Sequence, residues 1–193
     1  WKKLGTKEPF VPQYIKGDLD SVRHEVSDFF ASRGSVVIKD LDQDSNDLDK
    51  CMALLETLQS QMDTGKGEKL NVLVLGAMGG RFDQEMQNIN ALYRWSKVFA
   101  RMTLYSDCTS AMLLWPGKHS IRPNFDIETR TCGLIPIGGT CNELTTEGLK
   151  WNLSKFSTAF GGLVSSSNHC LANEILVENS DPLIWTTELK TTN

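Results

Sequence analysis

Acidic side chains crowd two short turns near the start of the chain, Gly17-Asp18-Leu19-Asp20-Ser21 and Asp42-Gln43-Asp44-Ser45-Asn46-Asp47. Each follows a short apolar run and precedes a helix-like pattern. Asp18 and Asp20 stand two apart, so extended backbone would project their carboxylates to one side. Hard divalent cations take oxygen ligands, and Mg²⁺ is commonly held by one or two carboxylates together with substrate phosphates. The pattern therefore points to metal–phosphate chemistry. Either turn alone is explained as well by helix capping, with Asp20 or Ser21 as cap and Asp18 in solvent. A third turn, Gly76-Ala77-Met78-Gly79-Gly80-Arg81-Phe82-Asp83-Gln84, shifts the balance. Its glycines let backbone N–H groups approach an anion, and a helix N-terminus favours negative charge. Arg81 adds a planar donor fork suited to phosphate oxygens. No Gly-Lys-Ser/Thr follows and GxGxxG is absent, which excludes a Walker A loop and the dinucleotide fingerprint.

The first half of the chain alternates strand and helix periods. Tyr14-Ile15 is a short apolar element. Val22, Val26, Phe29 and Phe30 recur at helical spacing up to Gly34, and Val36-Val37-Ile38 predicts a buried strand. Leu48, Cys51, Met52, Leu55, Leu58 and Met62 mark a second helix, capped by Ser45 or Asn46. A polar loop over residues 63–69 leads to the apolar strand Leu70 to Leu75, and Met86, Ile89, Leu92 and Tyr93 mark a third helix. Such alternation predicts an α/β domain with a mostly parallel sheet, expected over residues 1–101. Ligands of open α/β sheets bind beyond the carboxyl ends of the strands, where the three turns would converge on one cleft. From about Met102 the periods shorten. Met102–Tyr105, Ala111–Trp115, Cys132–Ile135 and Glu174–Val177 read as strands punctuated by Pro116-Gly117, Gly138-Gly139 and Gly161-Gly162. An all-β sandwich or roll is expected over 102–193, without a helix.

Bulk properties narrow the partners. At 40% hydrophobic and 23% charged, the 193 residues have the composition of a globular protein. Net charge is −4 and the basic residues form no long run, which disfavours a nucleic-acid role. Neither a membrane-length apolar run nor a signal peptide is seen. Five cysteines without CxxC spacing read as reduced thiols of a cytoplasmic protein, and the three histidines are too dispersed for a local zinc motif.

The motifs Gly17-Asp18-Leu19-Asp20-Ser21, Asp42-Gln43-Asp44-x-x-Asp47, Gly80-Arg81-Phe82-Asp83-Gln84 and Gly148-Leu149-Lys150-Trp151-Asn152-Leu153 occur in this order. Together they resemble eukaryotic thiamine pyrophosphokinase (thiamine diphosphokinase). Pro116-Gly117-Lys118-His119, Cys132-Gly133-Leu134-Ile135-Pro136 and Leu163-Val164-Ser165-Ser166-Ser167-Asn168 are similar to that family too, so the resemblance spans nearly the whole chain. It implies transfer of pyrophosphate from ATP to the hydroxyl of thiamine, giving thiamine diphosphate and AMP, with Mg²⁺ bound. It implies catalytic roles for Asp18, Asp20, Asp47, Arg81 and Asp83, the first three also holding the metal. Gln43, Asn46, Gly80, Arg81 and Gln84 would lie on the ATP side, and Trp151, Ser165 and Ser167 on the thiamine side. It further implies an N-terminal α/β domain followed by a β-sandwich, and a homodimer with active sites between subunits.

Trp151 has a physical basis for its implied role, because an indole face attracts the thiazolium cation and stacks on a flat ring. Core packing is the alternative for an arbitrary Trp. Ser165, Ser166 and Ser167 would either hydrogen-bond the substrate or line the solvent face of a strand. The chain departs from the family at Asn46, where Thr is usual. It also starts at Trp1, without the family's first strand and Gly-Gly-Ala-Asn-like turn. A pyrophosphokinase for another heterocyclic alcohol, such as a hydroxymethylpterin, and a non-catalytic thiamine- or nucleotide-binding protein are the competing readings.

Overall fold

The computed structural model describes residues 10–62 and 67–191, so four residues of the expected 63–69 loop (63–66) lie outside the described residues. The chain forms two compact units, Trp1–Gly67 and Glu68–Asn193.

In the first unit, β1 (Tyr14–Gly17), α1 (His24–Ala31), β2 (Val36–Lys39) and α2 (Asp47–Gln61) follow the predicted alternation. β1 and β2 pair in parallel, Tyr14 opposite Val36 and Gly17 opposite Lys39. Parallel strands need a crossover, and α1 supplies it. Phe29 and Phe30 of α1 meet edge to face at 5.2 Å, and the Arg33 guanidinium lies 3.6 Å over the Phe29 ring. Met52 of α2 is buried, and the Cys51 thiol donates to the Lys16 carbonyl at 3.6 Å, tying α2 to β1.

The second unit opens with another right-period alternation: β3 (Asn71–Leu75), α3 (Phe82–Trp95) and β4 (Arg101–Tyr105), with β3 and β4 parallel. α3 buries Ile89, Ala91 and Leu92 and packs on β4 and on β5 (Thr109–Leu114). A fully buried Leu such as Leu92 contributes about 2 kcal/mol in transfer free energy. The chain continues as β6 (Gly117–Ile121), β7 (Glu128–Ile135), β8 (Cys141–Glu147), β9 (Phe156–Thr158), β10 (Ser165–His169), β11 (Ile175–Asn179) and β12 (Leu183–Leu189). No helix follows α3 among the described residues. Two sheets result, a six-stranded one in the order β10-β7-β12-β5-β4-β3 and a four-stranded one in the order β6-β11-β8-β9. The core lies between them, where Leu134 and Leu183 of the larger sheet meet Leu144, Ile175 and Val177 of the smaller. β11 shows the period-2 reason for this: Ile175, Val177 and Asn179 are buried while Leu176 and Glu178 are exposed.

The α/β region followed by a β-sandwich is the fold expected from the sequence. β4, however, pairs with β3 on one side and β5 on the other, so the α/β and all-β periods share one sheet. A functional division at 101/102 runs through that sheet and stands as a proposal.

Candidate functional site

The end of β1 and the start of α2 bring Asp18 and Asp47 together, with the Asp20 amide bonded to Asp18. Asp18 and Asp20 occupy the turn after Gly17, and Asp47 is the first residue of α2. The Asp47 Oδ1 accepts the Asp18 N–H at 3.2 Å, and the Asp18 Oδ1 accepts the Asp20 N–H at 3.1 Å. The extended backbone assumed for Asp18–Asp20 is not what forms. Leu19 sits at φ +61°, because the Asp18 side chain folds the turn onto itself through the Asp20 amide. Strain of this kind persists where surrounding contacts over-determine the backbone. Gly17 permits the close approach: a Cβ there would stand 2.9 Å from Asp47 Oδ1.

Lys50, one turn along α2, is a member of the cluster that the sequence reading missed. Its side chain is only 3% exposed, and its Nζ lies 3.6 Å from Asp47 Oδ1. The i,i+3 spacing from Asp47 was the available signal. Asp40 pairs with Lys16 at 3.2 Å. Asp40 is held below the usual carboxylate range, chiefly by the Asp42 N–H and then by Lys16. Asp42 is likewise held low, chiefly by the Ser45 hydroxyl and then by the Asp44 N–H. Asp40 and Asp42 therefore keep their negative charge at neutral pH.

The donor set fits a metal bound jointly with phosphates. Among the described residues no group of three or more His, Cys, Asp and Glu side chains is arranged to hold an ion by protein alone. Mg²⁺ seldom uses such cages; one or two carboxylates completed by substrate oxygens suffice, and the Asp18 and Asp47 carboxylates, joined through the Asp18 amide, match that number.

In the second acidic turn Asn46, and not Ser45, is the N-cap of α2. Its Oδ1 accepts the Asp49 N–H at 2.9 Å and its Nδ2 donates to Asp49 Oδ2 at 2.9 Å. Ser45 instead donates to the Asp42 carboxylate. The Asn46 amide is thus engaged in capping. Asn46→Ala is expected to lower stability by about 1 kcal/mol, read as a shift in the urea midpoint at unchanged m-value. Gln43 is exposed and donates to the Leu41 carbonyl at 3.2 Å.

In the second unit, the glycine turn joins β3 to α3. Arg81 stands at the N-cap of α3 and forks onto Asp83, with Nε to Oδ1 at 3.1 Å and Nη2 to Oδ2 at 2.5 Å. Each charge favours the other's ionised form, so Asp83 titrates below the usual carboxylate range and Arg81 above its ordinary value. Both are exposed, as is Gln84. The backbone amides expected to be open to an anion are already occupied. The N–H groups of Gly79 and Gly80 both donate to Glu85 Oε1, at 2.7 and 2.8 Å.

The same unit joins Trp151 to Ser165 through a second residue that the sequence reading did not single out. Asn168 is 3% exposed. Its Oδ1 accepts the Trp151 N–H at 3.2 Å, and its Nδ2 donates to the Trp151 carbonyl at 2.9 Å and to Ser165 Oγ at 3.1 Å. A bulge between Ser165 and Asn168, with Ser167 at φ +53°, turns the chain here. Ser166 and Ser167 are exposed. The Trp151 ring is 55% exposed, which removes core packing as its explanation, and Lys150 Nζ lies 4.6 Å from its centroid. The indole thus already attracts a cation on one face. A cavity of about 520 Å³ elsewhere in this unit is lined by Arg101, Tyr105, Arg122, Glu128 and Trp185, and none of the candidate residues borders it.

Comparison with known proteins defines the class to which this chain belongs. Residues 2–104 match the family model described as thiamin pyrophosphokinase, catalytic domain, and residues 118–184 match its vitamin B1 binding domain. Thiamine pyrophosphokinase 1 of Arabidopsis thaliana is 40% identical over 191 residues, covering 98% of this chain and 70% of that protein. The crystal structure of yeast thiamin pyrophosphokinase superposes with a TM-score of 0.84 at 25% identity, covering 94% of this chain and 71% of that one. The enzyme from Candida albicans gives 0.80 at 27% identity, covering 94% and 74%. The chain belongs to the thiamin pyrophosphokinase family.

Proposed function

We propose that this chain transfers pyrophosphate from ATP to the hydroxyl of thiamine, with the carboxylates of Asp18, Asp20 and Asp47 on the metal–phosphate side. The observation that carries the reading is family membership across both halves of the chain, catalytic and vitamin-binding. The thiamine oxygen bonds to the β-phosphorus of ATP as the bond from that phosphorus to the α,β-bridging oxygen breaks. AMP leaves with the bridging oxygen, and the hydroxyl proton passes to a carboxylate or solvent. A Mg²⁺ ion held by Asp18, Asp20 and Asp47 would neutralise phosphate charge, the main demand of such transfers. Arg81 meets the charge developing on the phosphates, and Asp83 fixes the position of its guanidinium. Gln43 and Gln84 contribute on the nucleotide side, and Gly80 contributes only by shaping the turn that carries Arg81. Trp151 stacks on thiamine, with Ser165 and Ser167 beside it.

The protein acts as a homodimer with the thiamine site completed by the second subunit. Exposed Trp151, Phe156, Phe160 and Leu163 crowd one stretch of chain and support such an apolar contact. Five free thiols support a reducing, cytoplasmic setting. No helix among the described residues is long and apolar enough to cross a membrane.

Incubation of the protein with Mg²⁺, ATP and thiamine should yield AMP and thiamine diphosphate in equal amounts. Formation of ADP would exclude pyrophosphate transfer, and turnover with a hydroxymethylpterin but not with thiamine would reassign the acceptor. Trp151→Ala is expected to raise the KM for thiamine roughly 5- to 30-fold, the equivalent of one cation–π contact of about 1–2 kcal/mol, with the KM for ATP unchanged. An unaltered thiamine KM removes Trp151 from the site.

A further inference from the structure

We infer that Glu85 is a positioning residue for the reaction, clamping the glycine turn so that Arg81 is presented to the phosphates. The inference rests on the role proposed for Arg81. Three glycines in five residues (Gly76, Gly79 and Gly80) leave the turn little intrinsic preference for one shape, and ordering it costs more entropy than an average loop. Side chains and backbone from around it supply the order. The Ala77 N–H donates to the Tyr105 carbonyl at 3.0 Å, which fixes the start of the turn to β4. Asn88 Nδ2 donates to the Ala77 carbonyl at 2.7 Å. Glu85 Oε1 receives the Gly79 and Gly80 amides at 2.7 and 2.8 Å. Glu85 and Asn88 stand three apart on α3 and so share one helix face. Together they hold the turn at its beginning and at its end, immediately before Arg81.

Bonds from two amides to one carboxylate oxygen are charge-assisted and stronger than neutral ones. They also decide what the turn can do. Its Gly79 and Gly80 amides, saturated by an anion of the same chain, do not serve as a phosphate cradle. The turn acts instead through the residue it carries. Arg81 is three-quarters exposed, so packing does little to locate it, and the clamp sets where its side chain begins.

Steady-state kinetics on Glu85→Ala, Glu85→Gln, Arg81→Ala and the Glu85→Ala/Arg81→Ala double variant test this. Glu85→Ala should lower kcat/KM for ATP roughly 10- to 100-fold, by the loss of one aligned charge contact. Glu85→Gln, which keeps an acceptor oxygen of the same reach, should recover most of it. The double variant should be no worse than Arg81→Ala alone. Amide exchange at Gly79 and Gly80 should quicken in Glu85→Ala and not in Arg81→Ala. A lower KM for ATP in Glu85→Ala would show the carboxylate to be a plug that phosphate displaces, and would overturn the inference. Multiplicative losses in the double variant, or wild-type kinetics in Glu85→Ala, would overturn it as well. Failure of the wild-type protein to make thiamine diphosphate instead overturns the functional reading itself, so the two failures are told apart.

Discussion

Asp47→Asn is expected to lower kcat by about 10²- to 10³-fold or more, the usual loss when one preorganised charge contact to the reacting phosphates is removed, while the protein still folds. The substitution is selective because the Asp47 side chain does two separable things. Its Oδ1 accepts the Asp18 amide, an acceptor task that an Asn carbonyl oxygen performs equally. Its negative charge faces Lys50 and, in the proposed mechanism, the metal. Only the charge is lost. Depriving a buried ammonium of its partner can cost 3–5 kcal/mol, but Asp47 is 59% exposed and water screens the pair. A loss of about 1–2 kcal/mol, between the exposed-pair and buried-pair values, is the expected stability effect, or a melting shift of a few degrees. Turnover of each variant against ATP and thiamine, beside a thermal melt, checks both halves. Full turnover in Asp47→Asn would reduce Asp47 to a peg for the Asp18 amide. Asp20→Asn is expected to follow the same pattern, because Asp20 contributes its amide, not its carboxylate, to the turn's own bonds.

Much of this site was legible because its chemistry lies in local runs. Three acid-bearing or glycine-bearing turns each fall where an apolar strand ends and a helix begins, and periodicity places such boundaries well. What was not legible is which internal groups those turns already satisfy. Nothing in the run Gly76–Gln84 shows that Glu85 will fold back onto the Gly79 and Gly80 amides; that depends on the three-dimensional return of α3 over the turn. Lys50 was hidden for a related reason. Lysine is ordinarily a surface residue, and only the packing of α2 on β1 makes it a buried countercharge to Asp47. Asn168 lies 17 residues from Trp151, beyond any local pattern. The sheet shared by β3, β4 and β5 was also invisible, since a change in hydrophobic period marks a change of element type and not of hydrogen-bonded partner.

The Gly-Leu-Lys-Trp motif contains a glycine whose reason is structural, and this gives the largest expected effect on stability. Gly148 sits at φ +89°, and a Cβ there would meet the Glu174 carbonyl oxygen at 2.8 Å, Ile175 Cδ1 at 3.1 Å and Ala172 Cβ at 3.2 Å. The nearest of these is backbone immediately before β11, whose first residue, Ile175, is fully buried and paired with Ile121. The Gly148 carbonyl is itself fixed by the amides of Leu171 and Ala172 at 2.9 and 3.1 Å. Neither side can yield without breaking hydrogen bonds. Gly148→Ala should therefore add a left-handed penalty of about 1–2 kcal/mol to an overpacking penalty of about 1–3 kcal/mol. At roughly 2–4 °C per kcal/mol for a chain of this size, the melting temperature falls by about 4–20 °C. Gly161→Ala is the matched control: its φ is +85°, but nothing lies within 4 Å of its added Cβ, so only the conformational penalty applies. The difference between the two melts isolates the collision with Glu174. Equal melting of the two variants would show that β11 moves aside at little cost. Because Trp151 follows Gly148 by three residues and is pinned by Asn168, the same displacement should weaken thiamine binding in Gly148→Ala and leave it unchanged in Gly161→Ala.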